Sequence, residues 1–203
     1  MKEDKKNTKL SHEPCVYVYV RKIPFDIDDN NLSIEERARE IDLCGSEKVR
    51  DQKFYAWKLL ELAMTEVFGL DMSDAGMKKE ESIWCCDKCH FSISHSEDCV
   101  AVAVSTHPVG VDVEEYIDGK FDKVKDLILH KEEQKTFKDI NYCAIWTQKE
   151  AIFKKSRFRR FVPNRINTIG EKFFQKKLEI GDKTFALCIA TDLDVDVQYN
   201  TEY

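Results

Sequence analysis

SHSEDCVAVAVSTHPVGVDVEEY, residues 94–116, begins at a tight polar turn, continues through the apolar run VAVAV (100–104) and ends in two acids one residue apart, Asp112 and Glu114. A run of this kind reads as a buried strand, where an unpaired carboxylate is costly. Side chains of a strand alternate between faces, so Asp112 and Glu114 point the same way while Val111 and Val113 point into the core. Two readings stay open: ordinary acids at an exposed strand end, or a site built on one face of it.

Outward from this stretch, HFSIS and CVAVAVST form two short strands around SHSED, and CVYVYV (15–20) alternates bulky and β-branched residues as a strand ending before Pro24. Residues 31–41 read as a helix. Residues 49–70 form a stronger one, with Phe54, Trp57, Leu60, Met64 and Val67 at helical spacing, Gly69 as a stop and Lys53 and Lys58 facing outward. Residues 71–89 read as a charged, cysteine-rich loop. Beyond 116 come helices over 122–129, around 130–137 and over 144–155, then the hairpin KLEIGDKTFALCIATDL (177–193) with Gly181 and Asp182 at its turn, and an acidic tail. VAVAVST and FALCIAT end similar segments, which suggests an internal duplication about residue 105. The expected fold is α+β: two pseudo-duplicated halves, 15–105 and 106–203, each a small, mostly antiparallel sheet packed with helices, joined as one unit behind a disordered tail at 1–14.

With 203 residues, 42% of them hydrophobic, the chain is long enough for one substantial core or two small halves. Its polar, lysine-rich start lacks the apolar segment of a secretion signal, so the eight cysteines are expected reduced and the protein cytoplasmic. No apolar run approaches the roughly 20 residues of a membrane helix. The net charge of −6 argues against general nucleic-acid binding. Against that charge, KKSRFRRFVPNR (154–165) is basic throughout, either as a solvated face or as a surface for an acidic partner or phosphorylated ligand.

Three constellations carry chemistry. Asp112 and Glu114, beside a glycine that permits close approach, offer the hard oxygen ligands that suit Mg²⁺, with phosphate oxygens and water completing its shell. In WTQKEAIFKK (146–155), Glu150 and Lys154 are neighbours on one helix face, either as a surface ion pair or as a third acid and a phosphate-binding cation. In FSISHS (91–96), His95 lies between two serines at a turn, either bonding loop backbone or donating to a phosphate.

Taken in order, FSISHS, PVGVDVE and WTQKEAIFK resemble the motifs of the 4′-phosphopantetheinyl transferase superfamily, in its single-chain, surfactin-synthetase-activating (Sfp-like) type, over roughly residues 50–190. The resemblance implies an Mg-dependent enzyme, a monomer with its site between the halves, that moves the phosphopantetheine arm of coenzyme A to a serine of an apo acyl or peptidyl carrier protein, releasing 3′,5′-ADP. It implies Asp112, Glu114 and Glu150 as metal ligands, with Ser94, His95, Asp112 and Lys154 at coenzyme A. Glu150, Lys154 and Glu133, the last in ILHKEE, would be the catalytic groups, either glutamate taking the serine proton. The chain departs from the pattern at Ser82 and Ile83, where a Gly-Lys pair is usual, and at Arg157 and Arg159, where glycines are usual.

Two rival readings stand beside this one. CCDKCH (85–90) places three thiols and an imidazole at CxxC spacing, the start of a zinc-binding interaction module. The missing Gly-Lys pair suits a degenerate relative that binds carrier or coenzyme A without turnover.

Overall fold

A computed structural model describes residues 15–192 and 194–202; the tail expected to be disordered at 1–14 lies outside the described residues. The chain runs β1 (Val16–Lys22), α1 (Glu35–Asp42), α2 (Glu47–Phe68), β2 (Lys78–Glu80), β3 (Ile83–Cys85), β4 (His90–Ser96), β5 (Cys99–Ser105) and β6 (Val109–Glu115). It continues through α3 (Lys125–Ile128), α4 (Lys131–Thr136), α5 (Tyr142–Ser156), a 3₁₀ turn (Pro163–Arg165), β7 (Phe173–Ile180), β8 (Lys183–Thr191) and β9 (Val197–Glu202). This is an α+β chain. One sheet has the order β4-β5-β1-β9, a second β6-β8-β7, and β2 and β3 form a separate hairpin.

The alternation in the sequence becomes an alternation of size rather than of polarity, because both faces of the central strands are covered. In β5, Val100, Val102 and Val104 pack beneath α2 with Trp57, Leu60 and Met64, while Cys99, Ala101 and Ala103 face the second sheet. In β1 the tyrosines join the α2 side and the valines the sheet side. The two sheets share one apolar core, to which the second contributes Val109, Val111 and Val113 of β6 and Phe185, Leu187 and Ile189 of β8. On its other face β8 turns small residues, Ala186, Cys188 and Ala190, toward α5 and its surroundings. Gly110 completes that close fit: a Cβ there would stand 1.9 Å from the Ala151 carbonyl oxygen.

The facing edges of the sheets are joined by side chains. Ser92, Ser94 and Ser96 on β4 accept hydrogen bonds from the backbone N–H groups of Val111 (2.9 Å), Val113 (3.2 Å) and Glu115 (3.1 Å) on β6. Three hydroxyls thus replace the carbonyls that a neighbouring strand would supply, and a buried edge is left satisfied.

Several elements differ from the sequence expectation. The segment 71–89 contains the β2–β3 hairpin, turned by Glu81 and Ser82 at positive φ without a glycine. His95 lies within β4 rather than at the turn, since the ladder with β5 extends to the pair Ser96 and Cys99. The acidic tail forms β9, which pairs parallel with β1 and so carries the end of the chain across residue 105 into the first sheet. Among the described residues no helix is long and apolar enough to cross a membrane.

Candidate active site

β4, β6, α2 and α5 enclose a cavity of about 570 Å³. Its lining combines the polar side chains of Ser94, His95, Asp112, Glu114, Glu150 and Lys154 with aromatic and aliphatic ones, including Trp57, Trp84 and Phe158. The polar residues arrive by local rules. The period-2 alternation of β6 sends Asp112 and Glu114 to one side, and the i, i+4 spacing of α5 stacks Lys154 on Glu150. The small residues beneath α5, with Gly110, let that helix come near enough to meet β6.

Lys154 is the hub. Its Nζ donates to Asp112 Oδ1 at 2.7 Å and to Ser94 Oγ at 3.1 Å, and it lies 3.6 Å from Glu150 Oε2. Ser94 in turn donates to the same Asp112 oxygen at 2.7 Å. Burial works against the charge on Lys154, but Asp112 and Glu150 outweigh it and hold the ammonium protonated. Burial raises the Asp112 carboxyl; Lys154 draws it back, Glu150 and Glu114 push it up again, and it stands at about 7. Asp112 Oδ2 is buried with no hydrogen-bond partner among the described residues, an arrangement that is costly in a folded protein unless something else meets it. Glu114 accepts from Ser96 at 3.2 Å and from Lys120 at 2.5 Å. His95 is kept neutral by burial first, and then by the positive charges of Lys154 and Lys53.

Among the described residues no three His, Cys, Asp or Glu side chains form a ready ligating group. Asp112, Glu114 and Glu150 share the cavity wall, but ammonium groups sit against them: Lys154 on Asp112 and Glu150, Lys120 on Glu114. The thiols of 85–90 do not converge as ligands either. Cys85 takes an N–H from Arg157 at 3.0 Å, while Cys86 and Cys89 face each other at 3.7 Å.

Glu133 stands apart from the cavity. It is fully buried, accepts from Lys149 at 2.7 Å, from the His130 N–H at 2.8 Å, and from the Thr168 N–H and hydroxyl at 2.7 and 2.8 Å. Burial raises this carboxyl, and those donors together pull it below the ordinary range. His130 and Glu133 form a capping box at the start of α4, and Lys149, one step before Glu150 on α5, points away from the cavity to hold it.

Lys53 and Arg37 also line the cavity. The outward orientation expected for Lys53 is therefore corrected: Lys53 precedes Trp57 by one helical turn, and that spacing was the signal for a shared face. Arg37 lies over the Trp57 ring at 5.0 Å and pairs with Glu40 at 3.0 Å. The basic segment 154–165 is partly committed within the fold. Lys155 pairs with Asp192 at 2.7 Å, and Arg159 forms a two-pronged pair with Glu81 at 2.9 and 3.0 Å. Arg157 occupies the left-handed cap of α5 at φ 51°, one of the two positions where the sequence has arginine in place of glycine.

No family model matches the chain. Over 81 residues it is 30% identical to a 4′-phosphopantetheinyl transferase, gsp, of Aneurinibacillus migulanus, a match covering 36% of this chain and 34% of that protein. The chain therefore spans about a third of the length of the curated relative it matches, and over that part it is similar to a 4′-phosphopantetheinyl transferase.

Proposed function

We propose that this chain transfers the 4′-phosphopantetheine arm of coenzyme A to a serine hydroxyl of an apo acyl or peptidyl carrier protein, as a single-chain transferase whose two halves line one cleft. The observation that carries the reading is the meeting of Ser94, His95, Asp112, Glu114, Glu150 and Lys154, drawn from three separate motifs, on the wall of a single cavity. The partial likeness to a transferase of that name supports it.

In the reaction the carrier's serine oxygen attacks the phosphorus that bears the pantetheine arm. The bond from that phosphorus to the bridging oxygen breaks, and 3′,5′-ADP leaves with the oxygen. The serine proton passes to Glu150, directly or through water, in preference to Glu133, because Glu150 lines the cavity while Glu133 is buried among its own donors. Lys154 meets phosphate oxygens as a point charge and His95 as a neutral imidazole donor, while Ser94 fixes the relative positions of Lys154 and Asp112.

Asp112, Glu114 and Glu150 would hold Mg²⁺. The donor set fits in kind, being all carboxylate oxygen, with one buried oxygen of Asp112 that has no partner among the described residues. Bound there, a divalent cation supplies positive charge against the pyrophosphate; for it to enter, Lys154 and Lys120 must move off the carboxylates they pair with.

The test is the intact mass of an apo carrier protein after incubation with this chain, coenzyme A and Mg²⁺. A gain of one phosphopantetheine group is expected on at least one class of carrier. Several carriers all remaining apo at high coenzyme A would overturn the reading in favour of a relative that binds without turnover.

A further inference from the structure

A second cavity of about 350 Å³ opens beside the first, and Arg157 borders both. Cys85, Cys86 and Cys89 line it together with Lys78 and Lys88. The three thiols are not equivalent. Cys86 is half-buried, donates to the Ala75 carbonyl at 3.1 Å and receives the Lys88 N–H at 3.4 Å. Cys89 is buried against Met64, its sulfur 3.2 Å from the thioether. The sulfurs of Cys86 and Cys89 are 3.7 Å apart, against the roughly 2 Å of a disulfide. Cys85 is buried and engaged with Arg157 and Glu80.

We infer that Cys86 and Cys89 are a redox pair that closes to an intramolecular disulfide by exchange with a low-molecular-weight disulfide admitted by this cavity. The order of attack follows from access. Cys86, reachable from the cavity, attacks a sulfur of the small disulfide; that S–S bond breaks, one small thiol departs, and a mixed disulfide remains on Cys86. Cys89, whose thiol burial and then its neighbour Cys86 keep protonated, gives up that proton to the departing small thiolate as its sulfur bonds to the Cys86 sulfur, so this second step is the slow one. Two protein thiols are oxidised and one small disulfide is reduced to two thiols, so atoms and electrons balance. The new bond clamps the loop between β3, whose Ile83 and Trp84 reach the first cavity, and β4, which carries Ser94 and His95. The exchange needs no transferase activity, so it stands or falls separately from the proposed function.

The experiment incubates the native full chain with oxidised glutathione, quenches in acid, alkylates the remaining thiols in denaturant, and reads intact mass and tryptic peptides without reduction. Cleavage after Lys88 leaves Cys86 and Cys89 on separate peptides. The expected result is loss of two of the eight alkylatable thiols and a peptide pair joined through Cys86 and Cys89. The pair persists in Cys85→Ser and disappears in Cys86→Ser and in Cys89→Ala, each variant checked for a native melting transition. All eight thiols remaining alkylatable, a glutathione adduct on Cys86 that never resolves, or a link through Cys85 would each overturn the inference.

Discussion

The two helix–sheet layers solve one packing problem in opposite ways. Under α2, β5 presents valines, and a thick apolar layer separates helix from sheet. Under α5, β8 presents alanine and cysteine and β6 presents Gly110, so helix backbone meets strand directly. The first arrangement builds stability. The second brings Glu150 and Lys154 on a helix within reach of Asp112 on a strand, at the cost of apolar contact. A charged cluster needs short distances and fixed partners, and the thin layer supplies both.

The largest loss of stability is expected where the second layer is pinned, at the buried pair of Glu133 and Lys149. Glu133→Gln leaves Lys149 buried without its counter-charge, and should cost about 3–5 kcal/mol in chemical denaturation while the folded fraction keeps its transfer rate. Glu150→Gln, on a partly exposed pair, should cost less than about 1 kcal/mol and lose the rate. The reverse pattern would make Glu133 the base.

Gly110→Ala should cost about 3 kcal/mol, because the new methyl meets the backbone of α5 rather than a movable side chain. Gly69→Ala, at the left-handed cap of α2 with nothing within 4 Å, should cost about 1 kcal/mol. Equal costs, read from urea melts of both variants, would remove the distinction between the layers.

Ser92→Ala orphans the Val111 N–H at the seam between the sheets and should cost roughly 1–3 kcal/mol. A neutral result would mean that the hydroxyl ladder does not hold the sheet edges together.

The last effect is gradual, spread over about three pH units. In the folded chain the Asp112 carboxyl stands at about 7 against an ordinary 3.8, so between these values the folded state holds a proton that the unfolded state has released. Its contribution to stability is full below about pH 4 and is lost as pH rises to 7, at roughly 1.4 kcal/mol per unit at most. The stability difference between wild type and Asp112→Asn should follow that slope. A difference independent of pH would place the carboxyl in water.

What the sequence made legible follows from which signals are local. The face shared by Asp112 and Glu114 came from strand periodicity, the Glu150–Lys154 pair from helix spacing, and the last hairpin from Gly181 and Asp182. The serine ladder was hidden because FSISHS bonds a strand that follows it only after another strand and a turn. β9 was hidden because VQYNTE is a polar, half-buried edge strand paired with residues at the far end of the chain. The burial of Glu133 was hidden because its partners lie 16 and 35 residues away, and because a capping box begun by histidine lacks the usual serine or threonine.

We propose that the thin layer serves to bring Asp112, Glu150 and Lys154 to one cavity wall for phosphopantetheine transfer. The direct measurement is the rate at which an apo carrier gains mass with wild type and with Asp112→Asn, alongside the melting temperature of each. The expected result is a loss of about a thousandfold in Asp112→Asn with both proteins folded. Equal rates in two folded proteins would contradict it.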